Sequence, residues 1–389
     1  MATPKLKLGN DKWATKSKSL LAYNDEGNNF KSLPFRVERL SGGSYVGRNG
    51  LIQYAATEEP RIDFTNNTKG HLLLEPSRQN KVTYSEQLTT NWTRSSISTP
   101  TDADIDAPDG AETVKRLQTN NADGSIAFTY NTTFNQVSGT TYTVSVYAKS
   151  FDGTDQLFGL FGNGSGASDA HTGNLTATNE WQRFTYTFTA SNTSTIGICK
   201  GNDRLAFDIL FWGFQIEQGS YATSYIPTTG STATRIQDKV INGGNEYIFN
   251  DSEGVLFLDV EITNNSSEVK QTSLNNGTTN EAVKILQLNS TTFRFEVVMS
   301  SGTNFSQDIT VNPYQRNKFA LQYKANDYKV FINGEKQTIT QRSTLPTGLD
   351  RFNFNRGYST TDDFKGSINE LEIFNTALTD AELTTLTTL

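Results

Sequence analysis

Two pairs of carboxylates stand at alternate positions of strand-like stretches, Asp259 with Glu261 and Glu370 with Glu372. Alternate strand residues share a face and lie about 6.5 Å apart. Glycoside hydrolysis uses two carboxyl groups about 5–9.5 Å apart, so either pair admits that chemistry. The plainer reading of both is a solvated strand face, and it is the expectation taken forward. Asp102, Asp104 and Asp106 begin like a calcium loop, but Ala107 takes the place of the sixth-position glycine and Thr113 that of the final glutamate. An acidic surface loop is expected there; calcium is left without support, and no cofactor is expected. His71 and His171 are the only histidines, and they form no Cys/His cluster, so a zinc site is excluded. His171, in a Gly-rich loop beside Asp169, is the better placed of the two for a histidine-dependent triad. Gly162, Gly164 and Gly166 are spaced like a phosphate loop, yet no helix start follows. No residue is given a catalytic or metal-binding role, and the chain is expected not to be an enzyme.

Loop side chains offer a second kind of chemistry. Tyr314, Arg316, Arg356, Tyr358, Asp362 and Asp363 fall in stretches that read as loops. Arg, Tyr and Asp at loop tips can hold sugar hydroxyls, so these six are the candidate ligand-binding residues.

The elements that must position them are strands. Charged residues make up only 19% of the 389, net charge is −7, and Thr, Ser, Asn and Gly abound. That balance suits β-sandwiches with polar loops and argues against nucleic acid. Tyr142, Val144, Val146 and Ala148 alternate with polar residues, as do Phe184, Tyr186 and Phe188. Residues 158–172 read as a long Gly/Ser/Asn loop. Leu256, Leu258, Val260 and Ile262 line one strand face; Phe293, Phe295 and Val297 line another; Val330 and Ile332 run into the hairpin signal Asn333-Gly334. Leu72-Leu73-Leu74 reads as a strand buried on both faces. One helix closes the chain, with Thr379 and Glu382 forming a capping box and Leu378 and Leu383 a staple. The lone Cys199 reads as a small buried hydrophobe. No apolar run reaches membrane-spanning length.

The N-terminal stretch stands apart. Lys5, Lys7, Lys12, Lys16 and Lys18 surround Trp13, with Asp11 the only acid before Asp25. Nucleic acid or membrane contact is one reading. The favoured one is an extended arm, anchored through Lys5, Lys7, Lys12 and Trp13, that docks on an acidic protein surface. It lacks the apolar core of a signal peptide, so synthesis in a cytoplasm is expected.

Two resemblances follow from longer patterns. The strand Phe211–Glu217, then Gly219, Ala222-Thr223-Ser224-Tyr225-Ile226-Pro227-Thr228, resembles the closing segment of a carbohydrate-binding-module-like jelly roll found in tailed-phage fibre and adhesin proteins. Pro60-Arg61-Ile62-Asp63-Phe64 and Leu72–Asn80 resemble its opening, with Arg78-Gln79-Asn80 where the family reads Arg-Thr-Asn. Trp92, Trp181 and Trp212 then fall on scaffold positions. Val330–Glu335 and Lys365–Thr379 resemble a laminin-G or concanavalin-like lectin domain. Concanavalin-like glucanases carry three alternating acids on one strand; here Phe257 stands in place of the third.

Together these give an all-β chain of two tandem antiparallel β-sandwiches of jelly-roll type, with an extended N-terminal arm and a short C-terminal helix. The expected division is a docking arm at 1–33, a jelly roll with its lead-in at 34–235, a linker at 236–253 and a lectin-like domain at 254–389. What the resemblance implies is a phage virion protein, a head or tail fibre or decoration. It would attach through its N-terminus to other virion proteins, display its sandwiches to host-surface carbohydrate, and be a homo-oligomer, with a trimer favoured. A purely structural fibre and a polysaccharide-degrading enzyme are the alternatives.

Overall fold

The computed structural model describes residues 2–16, 18–22, 33–162, 172–191, 195–262, 269–300, 302–357 and 362–389. The fold is all-β, built of antiparallel sheets with a short C-terminal helix, Asp380–Thr387. Its two compact units differ from the expected division. One, the split unit, comprises residues 1–50, 55–76 and 236–389; the other, the inserted unit, comprises 51–54 and 77–235.

The inserted unit is a sandwich of two five-stranded sheets. Strand Asp208–Gln218 is central in one sheet, between Lys115–Gln118 and Thr141–Ser150, with Gln182–Thr189 beyond the latter. The inward residues Tyr142, Val144, Val146 and Ala148 are buried with Ile209, Phe211, Phe214 and Ile216, as the alternation predicts. They meet Phe158, Leu160, Ile196 and Ile198 of the facing sheet. Phe158 belongs to strand Gln156–Phe161, a correction to the loop expected from residue 158. Its ring packs edge-on to Phe211 at 5.3 Å, and that buried contact outweighs the small polar residues that follow it. After Gln218 the chain folds back over its own strand. The Ile226 amide donates to Gln215 Oε1 at 2.7 Å and the Thr223 amide to Glu217 Oε2 at 2.9 Å. Tyr225 lies on Trp212 at 4.4 Å. Those contacts are the physical content of the Glu217–Thr228 pattern.

The split unit has an eight-stranded sheet over a five-stranded one. In the larger, Gly366–Phe374 pairs on one edge with Glu253–Glu261. Its other edge is shared: Gly366–Ile368 pair with Leu72–Leu74, and Glu370–Ile373 pair with Leu6–Gly9. Leu6, Leu8, Leu256, Leu258, Leu371 and Ile373 face Phe293, Phe295 and Val297 of the smaller sheet in one core. On the opposite face of the large sheet, Leu378, Leu383 and Leu386 of the helix region cover Val255, Phe257, Ala320 and Phe331. The helix begins with the expected capping box at Thr379 and Glu382.

The N-terminal stretch is therefore no free docking arm. Leu6 and Leu8 are core residues, and Gly9 has φ +92°, where a Cβ would come within 2.1 Å of the Asn369 carbonyl. Trp13 packs against the same core and donates its indole N–H to the Lys69 carbonyl at 2.9 Å. The Lys5 amide donates to the Ile373 carbonyl, and Lys12 turns back on Gly9. Ser19–Ala22 pairs with Leu33–Glu38, and Leu20 and Ala22 are buried with Phe35. The apolar residues that lacked a local partner find one on strands far along the chain.

Nor is 236–253 a linker. Lys239–Ile241 pairs with Leu33–Glu38, and Asp238 is buried among charges. The Arg39 Nη1 and Arg61 Nη2 groups both donate to its carboxylate, while Arg61 Nη1 also reaches Glu75 Oε2 at 2.7 Å. Two guanidinium groups and two carboxylates close a neutral buried set, which ties Arg39, Arg61 and Glu75 to Asp238 within the split unit.

Candidate functional site

The two carboxylate pairs of the large sheet meet on its helix-bearing face. Glu370 lies directly across from Asp259, and Glu372 from Phe257 on one side and Lys7 on the other. This face is not solvated as expected. Asp259 is fully buried, and Glu370 and Glu372 nearly so. Arg316 holds Asp259 in a fork, Nε to Oδ1 at 2.8 Å and Nη2 to Oδ2 at 2.5 Å. Lys7 sits between the other two, 3.0 Å from Glu370 Oε1 and in direct contact with Glu372. Cations from distant parts of the chain replace the water that a strand face would otherwise carry. Only Glu261 of the four remains exposed.

One ammonium shared by two buried carboxylates leaves a charge uncompensated. Burial pushes the Glu372 carboxyl up to about 7; Lys7 pulls it down, and Glu370 raises it further. Burial alone would lower Lys7, but the two carboxylates outweigh it and hold the ammonium above the ordinary lysine range. A carboxyl whose folded pKa exceeds its unfolded one adds stability below the unfolded value, and this is lost as pH rises through the folded value. Stability should therefore fall between pH 4.5 and about 7, by up to about 3 kcal/mol from this group. Urea midpoints measured across that range should show the slope, and Glu372→Gln should flatten it. An unchanged slope in the variant would count against the assignment.

The five-stranded sheet presents a second polar face. With Phe293, Phe295 and Val297 turned to the core, Arg294 and Glu296 turn outward. Strand pairing then sets Asn353, Ser273, Lys284, Glu296 and Ser306 in one row across the sheet. A neighbouring row holds Gln271, Leu286, Arg294 and Asp308. Arg294 and Asp308 form a two-pronged pair at 2.6 and 2.8 Å, which lowers the Asp308 pKa. Lys284 has Glu296 Oε2 beside it at 3.5 Å, with Arg356 and Asp362 also within reach of its charge, and burial lowers its pKa more than Glu296 raises it. Two later residues lie on this face: the Asn355 carbonyl accepts from Ser273 Oγ at 2.7 Å, and the Asp362 carbonyl from the Gln271 amide at 3.3 Å. The buried Nε2 of Gln271 has no acceptor among the described residues.

Only part of the expected ligand set gathers there. Arg356, exposed, reaches Asp362 Oδ2 at 3.4 Å above this face. Asp363 is also near but buried, held by Gln237 Nε2 at 3.1 Å and Asn355 Nδ2 at 3.3 Å, with Lys239 and Lys365 close by. Burial raises its pKa despite Lys365 and Lys239, and its role is structural. Arg316 belongs to the other sheet, with Asp259. Tyr314 packs on the core at the far end of its loop. Tyr358 and His171 lie outside the described residues. His71 is buried 3.8 Å from Asp63 Oδ1, and burial lowers its pKa. Sequence reasoning missed Gln271, Lys284 and Glu296. The alternation that named Phe293, Phe295 and Val297 as core already assigned Glu296 to the other face.

Among the described residues no group of three or more His, Cys, Asp or Glu could hold a metal ion. Asp102 is taken by Lys115, and the Asp106 carbonyl by the Trp181 indole. Trp92 and Trp212 are buried, as expected of scaffold residues. Trp181 is not, because it lies at the edge of an outward face. No described helix is long and apolar enough to cross a membrane.

Residues 258–384 match the family profile of the concanavalin A-like lectin/glucanases superfamily. The match takes in both polar faces of the split unit but none of the strands before residue 76. Similar solved structures include a carbohydrate-binding module of the Ruminococcus gnavus IT-sialidase bound to α2,3-sialyllactose. It is 18% identical, with TM-score 0.32, over 38% of this chain and 93% of that one. Another is domain 4 of the Geobacillus stearothermophilus arabinanase AbnA with arabinotriose, 17% identical, TM-score 0.33, over 43% and 82%. The tandem CBM22 modules of Paenibacillus barcinonensis Xyn10C are 13% identical, TM-score 0.27, over 76% and 96%. Likenesses of that size carry no argument about ligand. No curated protein matches the sequence.

Proposed function

We propose that the chain is a non-enzymatic glycan-binding protein whose split unit takes a saccharide on the outer face of its five-stranded sheet. The observation that carries this is the gathering of Arg356 and Asp362 over the polar face that holds Lys284 and Glu296, within the segment that matches the lectin/glucanase profile. Sugars are held by several oriented donors and acceptors, and such a face offers them in fixed geometry. A binding rather than hydrolytic role is supported by Arg316 and Lys7, which occupy the three buried carboxylates of the other sheet. The resemblance of residues 39–235 to phage fibre and adhesin modules supports a place on a virion, as a homo-oligomer displayed to host-surface carbohydrate. Attachment would run through surfaces other than Lys7 and Trp13, which the fold uses internally.

The test is a screen of bacterial-surface oligosaccharides against the full chain, followed by titration calorimetry on the best ligand. Arg356→Ala and Asp362→Ala should each weaken that ligand by about tenfold, the worth of one good polar contact. Unchanged affinity in both would remove this face from the reading. Release of reducing sugar by the wild-type chain would replace binding with hydrolysis.

A further inference from the structure

The inserted unit has an outward sheet face with rings and cations that its core does not use. We infer that this face is a second binding platform, independent of the split unit, for an acidic sugar: a pyranose ring carrying a carboxylate.

Strand register builds the platform. Tyr147 pairs with Arg183 on one side and Trp212 on the other, giving a row of Arg, Tyr and Trp across three strands. Lys149 lies two residues beyond Tyr147 on the same strand and so shares that face, and Trp181 immediately precedes the strand Gln182–Thr189 that carries Arg183. Trp212 is the floor, 1% exposed, packed against Tyr147 at 5.5 Å and donating its indole N–H to Thr113 Oγ1 at 2.8 Å. Tyr147, Lys149, Trp181 and Arg183 are half-buried above it. Trp181 is held in place by its 3.0 Å hydrogen bond to the Asp106 carbonyl. Tyr54, 48% exposed, is tethered through its hydroxyl to Asp109 Oδ2 at 3.3 Å.

The main core of this unit lies on the opposite side of the sheet; on this face Tyr225 of the return segment already buries Trp212, while Tyr147 and Trp181 stay half-open beside it. Half-open, fixed aromatic rings suit the apolar face of a sugar, because they are rigid and lose little freedom on contact.

The cations set the charge of the ligand. Arg183 lies 5.4 Å from the Tyr147 ring centre and donates from Nη2 to Ser145 Oγ at 2.8 Å. Neither Arg183 nor Lys149 forms an ion pair among the described residues, whereas Arg116 of the same sheet is forked onto Asp208. A guanidinium with donors to spare beside a ring is suited to a carboxylate lying in the plane of the fork.

The experiment is calorimetric titration of the full chain with hexagalacturonate, hexamannuronate and, as the neutral comparison, maltohexaose. At least one uronate should bind, with maltohexaose weaker by about tenfold, the usual worth of a charge-assisted hydrogen bond. Trp181→Ala and Arg183→Gln should each cost about tenfold in uronate affinity. Arg356→Ala, in the other unit, should leave uronate binding unchanged, which separates this platform from the proposed split-unit site. Arg183→Gln is a small change at a half-open position, so it carries the test if Trp181→Ala fails to fold. Absence of uronate binding, or binding that neither variant weakens, overturns the platform. Equal affinity for maltohexaose, unaltered by Arg183→Gln, overturns the acidic ligand.

Discussion

Removing residues 1–22 should prevent the split unit from folding while leaving the inserted unit intact. The deletion takes away the strand Leu6–Gly9, which covers half of one edge of Gly366–Phe374, and the strand Ser19–Ala22 beside Leu33–Glu38. Leu6, Leu8 and Leu20 are fully buried, or within 1% of it. Burying each is worth about 1.5–3 kcal/mol, and a domain's whole stability is about 5–15 kcal/mol. The loss also strips Lys7 from Glu370 and Glu372, leaving two buried carboxylates without their cation. Limited proteolysis of the truncated chain should leave a resistant fragment of about residues 77–235, with 236–389 degraded. Full resistance of 236–389, with an unchanged urea midpoint, would show that the N-terminal strands are dispensable.

A single substitution should approach that effect. Asp238→Ala leaves Arg39 and Arg61, each 1% exposed, with Glu75 as the carboxylate still paired to the set. It also removes the acceptor for the Glu75 amide, now at 2.9 Å. Breaking a buried ion network from one side costs about 3–5 kcal/mol, because the remaining charges stay desolvated. The urea midpoint of the split unit should drop accordingly, with the inserted unit unaffected. Replacing Asp238, Glu75, Arg39 and Arg61 together by apolar residues of similar volume should cost much less than Asp238→Ala alone. A loss below about 1 kcal/mol for the single change would mean that water reaches the network.

Much of the fold was legible because its signals are local. Alternation named the inward faces of Tyr142–Ala148, Leu256–Ile262 and Phe293–Val297, and two residues, Thr379 and Glu382, sufficed to mark the helix cap. What escaped is pairing over long separations. Leu6-Lys7-Leu8 alternates like a strand, but four residues of strand say nothing about their partner, and a cluster of lysines reads as surface. Lys7 is instead the counter-ion of Glu370 and Glu372, acids that looked solvated while their cation lay at the other end of the chain. The same distance hid the tie between Asp238 and Arg39, so a linker was expected where a core charge lies. Of the ligand residues, the loop chemistry of Arg356 and Asp362 could be read directly. The sheet face beneath them emerged only once strand register showed which polar residues share it.

The shared edge of Gly366–Phe374 also sets an order of events during synthesis. Leu6 pairs with Ile373, and Leu72 with Ile368, so both early segments must wait for the last strand to emerge. At about 5–20 residues per second, that wait is some tens of seconds. The inserted unit is contiguous apart from residues 51–54 and is complete at Arg235, so it can fold on the ribosome first. Through that interval Leu6 and Leu8 are unpaired and Leu72–Leu74, paired only with Ile62–Asp63, keeps one edge open, so these apolar segments are exposed to wrong pairing with another copy. Yield from the cell should therefore respond to the speed of translation past residue 236 and to chaperone supply, even where the finished protein is stable.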